Sequence, residues 1–153
     1  MQEKIIHSTY RAYSDVASLP AQYSKLLVRA KDCLVDSWSP YSDFKVGAAV
    51  LLETGEVLTG TNQENAAFPM CLCAERVALG AAASQFPGIP PVAMAITTAK
   101  GSEPAAPCGA CRQVLAEHEY RFEQPITLIL QARSGVIYVF DSVKPLLPFS
   151  FHL

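Results

Sequence analysis

Two short cysteine-containing segments place the strongest constraint on how this chain folds. CLCAER spans residues 71–76 and PCGACRQ spans residues 107–113. In each segment a cysteine stands just before a helix-forming stretch, so Cys73 and the Cys108-x-x-Cys111 pair are predicted to lie at helix N-termini. A fold that brings these two N-termini together places three thiols around one cation.

Helix N-termini favour thiolate over thiol, because unpaired N–H groups and the positive end of the helix dipole lie there. Three thiolates can occupy three corners of a tetrahedron around zinc and leave the fourth for water, which is typical of catalytic zinc sites. Glu75 follows Cys73 by two residues and is predicted to carry protons beside that fourth corner. A Cys-x-Glu segment with Pro-Cys-x-x-Cys downstream is typical of hydrolytic deaminases.

The charge of such a site predicts a role for Arg76. Three thiolates around one Zn²⁺ carry a net charge of about −1, which weakens the metal as an acidifier of water. Arg76 lies one helical turn beyond Cys73 and is predicted to donate hydrogen bonds to its thiolate. That contact would withdraw negative charge from the sulfur.

Each half of the pattern has other interpretations. A lone Cys-x-x-Cys also occurs in thioredoxin-like redox pairs and in half of many structural zinc sites. A redox pair leaves Cys73 and Glu75 without a role. A four-cysteine structural site that includes Cys71 has a less usual Cys-x-Cys spacing and leaves Glu75 idle. The two segments together favour catalytic zinc.

Composition restricts the class of protein further. With 153 residues, the chain is expected to form one domain over 1–153, in which 1–20 is a short irregular or extended lead-in. The net charge of −2 and the lack of a basic run argue against a polynucleotide partner. The hydrophobic content of 50% suggests apolar surface covered by other subunits.

The chain also lacks signals for export or membrane insertion. No apolar run is long enough for a membrane span, and the first residues lack the apolar core of a signal peptide. We therefore expect a cytoplasmic protein with no membrane partner. In that reducing compartment, the five cysteines are expected to be metal ligands or buried thiols.

Hydrophobic periodicity predicts a mixed α/β fold. The expected order is α-β-β-α-β-α-β-β, with helices over 21–38, 74–86 and 109–119 and strands over 44–52, 56–62, 92–99, 126–131 and 136–140. This order predicts a three-layer α/β/α sandwich, in which helices cover both faces of a mixed sheet of about five strands.

Several ordered motifs carry a family resemblance over most of the chain: SPYSDFKVGAAV (39–50), TGTNQENAAFPMCLCAER (59–76), APCGACRQV (106–114) and LLPFSF (146–151). With them the chain resembles the small, homotetrameric, free-nucleoside type of cytidine deaminase, within the zinc-dependent cytidine and deoxycytidylate deaminase family. The resemblance implies the cytidine deaminase fold and one zinc ion per chain.

The resemblance also implies roles for individual residues. Cys73, Cys108 and Cys111 would bind zinc and Glu75 would shuttle protons, whereas Cys71 matches a position that does not bind the metal. The other matches are Asn62 and Glu64 at the ribose 3′-hydroxyl, Phe44 near the pyrimidine ring, the Ala74 backbone at the base carbonyl, the Ala106 carbonyl at the departing ammonia, and Phe151 in a neighbouring subunit's site.

The expected reaction is hydrolytic deamination of cytidine and 2′-deoxycytidine by a zinc-activated water, in pyrimidine salvage. Two alternatives remain open. The same chemistry could serve another substrate, in a blasticidin-type or polynucleotide deaminase. The chain could also be a zinc-stabilised oligomeric binding module without turnover.

Overall fold

The structure is a computed structural model that describes residues 1–153. Its strands are β1 (Arg11–Tyr13), β2 (Val46–Leu52), β3 (Val57–Thr61), β4 (Pro91–Thr98), β5 (Thr127–Gln131) and β6 (Ile137–Phe140). Its helices are α1 (Ala21–Asp32), α2 (Ala74–Gln85) and α3 (Gly109–Phe122). None of these helices has the length and apolar character needed to span a bilayer.

All strands belong to one mixed sheet, in the order β1-β6-β5-β4-β2-β3. The pairing of β4 with β5 is parallel and the other pairings are antiparallel. The sheet has six strands rather than about five, because β1 of the lead-in pairs with β6. Its three residues are too few to show a period of two, and their partner strand lies at the other end of the chain.

The first helix is shorter than the predicted range of 21–38. It ends at Asp32, and a 3₁₀ turn over Cys33–Asp36 follows. The chain at Trp38 then pairs with the segment after β3. The Trp38 N–H donates to Asn62 O, and the Trp38 carbonyl accepts from Glu64 N–H. The apolar period continues past Asp32, but these long-range bonds hold the chain out of the helix.

Helices cover both faces of the sheet, as predicted. Alternate strand residues point to opposite faces, so Ala48 and Val50 of β2 pack in one core with α2 and α3, while Ala49 packs in a second core with α1. Gly60 of β3 allows α2 to approach closely, because a Cβ there would lie 2.5 Å from Ala74 O. This contact fixes the N-terminus of α2 against the sheet.

The topology brings three chain segments to one end of the sheet. The first residue of β2, Val46, pairs with the last residue of β4, Thr98, and Gly47 pairs with the last residue of β3, Thr61. The segments before β2, after β3 and after β4 therefore meet at this end. Because β4 and β5 are parallel, α3 must cross back over the sheet, and its N-terminus starts beside them.

Candidate functional site

The three predicted cysteine ligands converge at the two helix N-termini. Cys73 directly precedes α2, Cys108 directly precedes α3, and Cys111 lies in the first turn of α3. Cys108 Sγ lies 3.8 Å from Cys73 Sγ and 3.5 Å from Cys111 Sγ, and all three sulfurs lie within 4.8 Å of one another. Thiolates bound to one zinc at about 2.3 Å stand about 3.8 Å apart in a tetrahedron. The cluster therefore fits one zinc ion.

The helix N-termini and Arg76 favour negative charge on the sulfurs. No side chain caps either helix, so the first backbone N–H groups have no side-chain acceptor at the helix ends where Cys73 and Cys108 lie. Hydrogen bonds from the Cys111 thiol and from Arg76 lower the pKa of Cys73 to about 5, and the contact with Cys73 raises the pKa of Cys111. Zinc binding releases the remaining thiol protons, because only thiolates ligate the metal.

Arg76 lies behind the cluster, where its guanidinium fixes the chain before Cys73. Its Nη2 donates to Cys71 O at 3.1 Å and lies 3.7 Å from Cys73 Sγ. Cys71 itself lies outside the cluster of ligand atoms, and its Sγ accepts from Asn65 N–H at 3.3 Å. Of the two cysteines in this segment, Cys73 belongs to the cluster and Cys71 does not.

Glu75 is the carboxyl group next to the cluster. It lies in the first turn of α2, and only 5% of its surface is exposed. Burial raises its pKa, and the nearby Cys73 thiolate acts in the same direction. A raised pKa favours the protonated form of the carboxyl group, which suits a residue that takes up and releases protons.

A cavity of about 400 Å³ opens above Glu75 and the cluster. Its wall includes eight of the predicted site residues: Phe44, Asn62, Glu64, Cys73, Ala74, Glu75, Ala106 and Cys108. Cys111 is completely buried, and Arg76 lies outside the wall. Phe151 also lies outside the wall of its own chain's cavity, with 67% of its surface exposed. The cavity is within the size range of small-molecule sites.

Asn62 and Glu64 fix the cavity wall and retain hydrogen-bonding capacity. Asn62 Oδ1 accepts from Ser37 Oγ and Val46 N–H, and its Nδ2 donates to Phe44 O at 2.8 Å. One N–H of that amide remains available for a ligand. The Glu64 carboxylate accepts hydrogen bonds from the Ser42 hydroxyl and, at 2.8 Å, from Tyr41 N–H. These bonds, that of Ser42 foremost, hold the pKa of Glu64 below its usual range. The pair thus still offers a donor and a carboxylate acceptor.

Two polar residues near the site were not assigned a role from sequence. Ser42 lies in the cavity wall and donates to the Glu64 carboxylate. Arg112 follows Cys111 and donates from Nε to Pro107 O at 2.7 Å and from Nη1 to Leu146 O at 3.0 Å. It fastens the Cys108 segment to the C-terminal part of the chain. Arg112 belongs to the quoted PCGACRQ motif, but its spacing gives no sign of these distant carbonyl partners.

The fold and the site together define a class of protein. It is an α/β/α protein with three thiols at two helix N-termini that could hold one metal ion, a buried carboxyl group beside them and a small-molecule cavity above. That combination of donor set and carboxyl group suits metal-assisted hydrolysis.

Comparison with known proteins identifies the family. Residues 20–122 match the model described as the cytidine and deoxycytidylate deaminase zinc-binding region, and they include the three cysteines and Glu75. This chain therefore belongs to the cytidine and deoxycytidylate deaminase family.

Individual relatives agree with this assignment. The cytidine deaminase of Sporosarcina psychrophila is 43% identical over 93 residues, which cover 61% of this chain and 67% of that protein. The Mycobacterium tuberculosis enzyme is 41% identical over 96 residues, with coverage of 63% and 71%. The crystal structure of cytidine deaminase from Burkholderia pseudomallei has a TM-score of 0.76 at 38% identity, and the match covers 83% of this chain and 97% of that chain.

Proposed function

We propose that this protein catalyses the hydrolytic deamination of cytidine and 2′-deoxycytidine to uridine and 2′-deoxyuridine, with release of ammonia. The observation that carries the proposal is the three-thiol cluster that fits zinc, with buried Glu75 beside it at the cavity wall. Relatives named cytidine deaminase share 41–43% identity with this chain over 93–96 residues.

Cys73, Cys108 and Cys111 would hold zinc, which would act as a Lewis acid and bring the pKa of a water molecule toward neutrality. Glu75 accepts the first proton of the attacking water and delivers it to N3 of the base, which makes C4 electrophilic. As the C4–O bond forms, Glu75 takes the second water proton to the exocyclic amino group. The C4–N bond then breaks and ammonia leaves. The raised pKa of Glu75 suits a group that is protonated and deprotonated in each turnover.

The remaining wall residues orient the nucleoside. We assign Asn62 and Glu64 to the ribose 3′-hydroxyl, since one hydroxyl can accept from the free amide N–H and donate to the carboxylate. Phe44 would pack against the base, with 37% of its surface exposed at the cavity. The Ala74 backbone N–H, at the start of α2, would donate to the base carbonyl, and the Ala106 carbonyl would accept from the departing ammonia.

A direct test of the proposed function is the ultraviolet absorbance of cytidine after protein is added, because uridine has a different spectrum. We expect turnover of cytidine and 2′-deoxycytidine and a loss of about 10- to 100-fold in kcat/KM with 3′-deoxycytidine. This loss corresponds to hydrogen bonds to a charged partner. Glu64→Gln should reduce the discrimination against 3′-deoxycytidine.

Other outcomes of this assay identify the alternatives. Equal rates with cytidine and 3′-deoxycytidine would contradict the assignment of Asn62 and Glu64. Turnover of blasticidin or of a polynucleotide in place of cytidine would change the substrate class. Absence of turnover with every substrate would favour a zinc-stabilised binding module.

We further propose that residues 1–153 act as one deaminase domain in a homotetramer, in the cytoplasm and in pyrimidine salvage. Large apolar side chains that remain exposed on the single chain support burial by other subunits, and these include Trp38, Tyr41, Phe68 and Met70. Five free thiols suit a reducing compartment.

Within the tetramer, we assign Phe151 to the cavity of a neighbouring subunit. The amide of Gln113 holds the Phe151 backbone through two hydrogen bonds, of 2.8 Å to Phe151 O and 3.0 Å from Phe151 N–H. Its ring remains largely exposed and lies outside its own chain's cavity. A fixed backbone with an exposed aromatic ring suits a contact made in another subunit.

This assignment predicts complementation between two impaired chains. Glu75→Gln should inactivate its own site, whereas Phe151→Ala should impair the neighbour's site. Co-assembled chains then contain sites with an intact Glu75 from one variant and an intact Phe151 from the other. We expect the mixture to exceed the mean activity of the separate variants. Activity equal to that mean, in tetramers shown to be mixed, would place the effect of Phe151 within its own subunit.

A further inference from the structure

The loop between β4 and α3 forms one wall of the cavity. Ala105 and Ala106 line the cavity, and the ligand Cys108 follows two residues later. The loop contains the turn at Gly101, where φ is +99°, and has no helix or strand of its own. The position of this wall therefore depends on side-chain contacts between the loop and other elements.

Three side-chain contacts to distant segments fasten the part of the loop that precedes Ala105. Lys100 Nζ lies 2.6 Å from Asp43 Oδ2, in the segment before β2. Ser134 Oγ donates to Ser102 O at 2.7 Å, and the hydroxyl of Tyr138 on β6 donates to Glu103 Oε2 at 2.5 Å. The contact at Glu103 is the nearest of these three in sequence to Ala105, and on the other side of the wall Arg112 Nε donates to Pro107 O at 2.7 Å. The hydrogen bond to Glu103 also raises the pKa of Tyr138 to about 12. The phenol therefore stays protonated and continues to act as the donor.

The lead-in covers the tyrosine that makes this contact. In the pairing of β1 with β6, Ala12 stands opposite Tyr138. The ring of Tyr10 lies 4.7 Å from the Tyr138 ring and 5.3 Å from the Phe140 ring, centre to centre. Ser8 Oγ also donates to Pro145 O at 2.5 Å, which fastens the start of the lead-in beyond β6. These lead-in residues precede the region 20–122 that defines the family.

We propose that Tyr138 and Glu103 are positioning residues for the substrate cavity, and that Tyr10 of the lead-in supports them by packing on Tyr138. The pair holds the loop so that Ala105 and Ala106 form a closed wall against the bound nucleoside. The effect on the nucleoside rests on the proposed function, whereas the fastening of the loop does not. The lead-in thereby contributes to a site from which it is distant in sequence.

Two measurements on the 153-residue protein test this proposal. Tyr138→Phe removes only the hydroxyl, and Glu103→Ala removes its acceptor. We expect each to raise KM for cytidine about 3- to 10-fold with little change in kcat, because ground-state and transition-state binding weaken together. Glu103→Gln keeps an oxygen acceptor and should retain most of the wild-type KM. The double variant Tyr138→Phe/Glu103→Ala should match the single variants, since both remove the same bond.

Limited trypsin digestion reports on the loop without any need for turnover. Lys100 is a tryptic site within it, and cleavage there tracks local opening. We expect Tyr138→Phe and Glu103→Ala to be cut faster after Lys100, and Tyr10→Ala to act in the same direction. Arg11→Gln is the matched control, because Arg11 is the residue next to Tyr10 in the lead-in but its side chain pairs with Asp141. It should leave KM and the cleavage rate unchanged.

The outcomes separate this proposal from the proposed function. Wild-type KM in Tyr138→Phe and Glu103→Ala would overturn the positioning role, whether or not the loop is cut faster. If wild-type protein does not deaminate cytidine, the proposed function fails, and the digestion rates decide alone. In that case faster cutting supports the fastening of the loop and unchanged cutting overturns it.

Discussion

Glu75→Gln is expected to yield a folded protein that binds zinc and deaminates cytidine about 10²- to 10⁴-fold more slowly than wild type. The amide has nearly the size of the carboxyl group, so the buried space beside the cysteine cluster stays filled. It cannot accept a proton from water or return one to the base. The loss should therefore fall on kcat, while KM and zinc content change little.

The chain offers a matched control for this variant in a second buried glutamate. Glu119 is as deeply buried as Glu75, with 6% and 5% of their surfaces exposed. The Glu119 carboxylate, however, accepts hydrogen bonds from Ile126 N–H, Val143 N–H and Ser142 Oγ. Glu119→Gln should lower the melting temperature because it disrupts these bonds. Below that temperature, its kcat should equal the wild-type value. If Glu75→Gln retained wild-type kcat, the proton-shuttle role would be wrong.

Cys111→Ser is expected to have the second large effect, the loss of zinc. A serine hydroxyl is a poorer zinc ligand than a thiolate, and Cys111 is fully buried with its Sγ 3.5 Å from Cys108 Sγ. Changes in outer partners alone weaken metal sites about 10- to 100-fold, so removal of a ligand should weaken binding more. Turnover should fall with zinc content.

The same variant should also lose stability. Zinc that binds only the folded protein contributes about 4 kcal/mol at a free concentration of about 1,000 times its Kd. We therefore expect a lower melting temperature, measured by calorimetry in the presence of zinc. Cys71→Ser is the control, because this thiol lies in the same segment but outside the cluster. Retention of stoichiometric zinc by Cys111→Ser would contradict the proposed ligand set.

The parts of the fold that sequence reasoning predicted are those with local signals. The helices that carry the cluster follow from helix-forming composition after Cys73 and Cys108, and α2 begins at the predicted residue, Ala74. The hairpin of β2 and β3 follows from two apolar runs around Gly55. The proximity of Cys73 to the Cys-x-x-Cys pair was predicted from chemistry, since neither segment shows locally that the other lies beside it.

The parts that were not predicted depend on long-range contacts. β1 forms because Arg11 and Val139 lie opposite each other in the sheet, although they are far apart in sequence. α1 ends at Asp32 because Trp38 bonds to the segment after β3. The contact between Tyr138 and Glu103 has no sequence signal, because a tyrosine in a strand and a glutamate in a loop are ordinary residues in those places.

We propose that one zinc ion, held by the three thiolates, is required for deamination next to Glu75. The most direct measurement is cytidine turnover by chelator-stripped protein as zinc is added back in known amounts. We expect no turnover at the start, then a linear rise that ends at one zinc ion per chain. Full turnover without metal, or none at stoichiometric zinc in correctly folded protein, would contradict the claim.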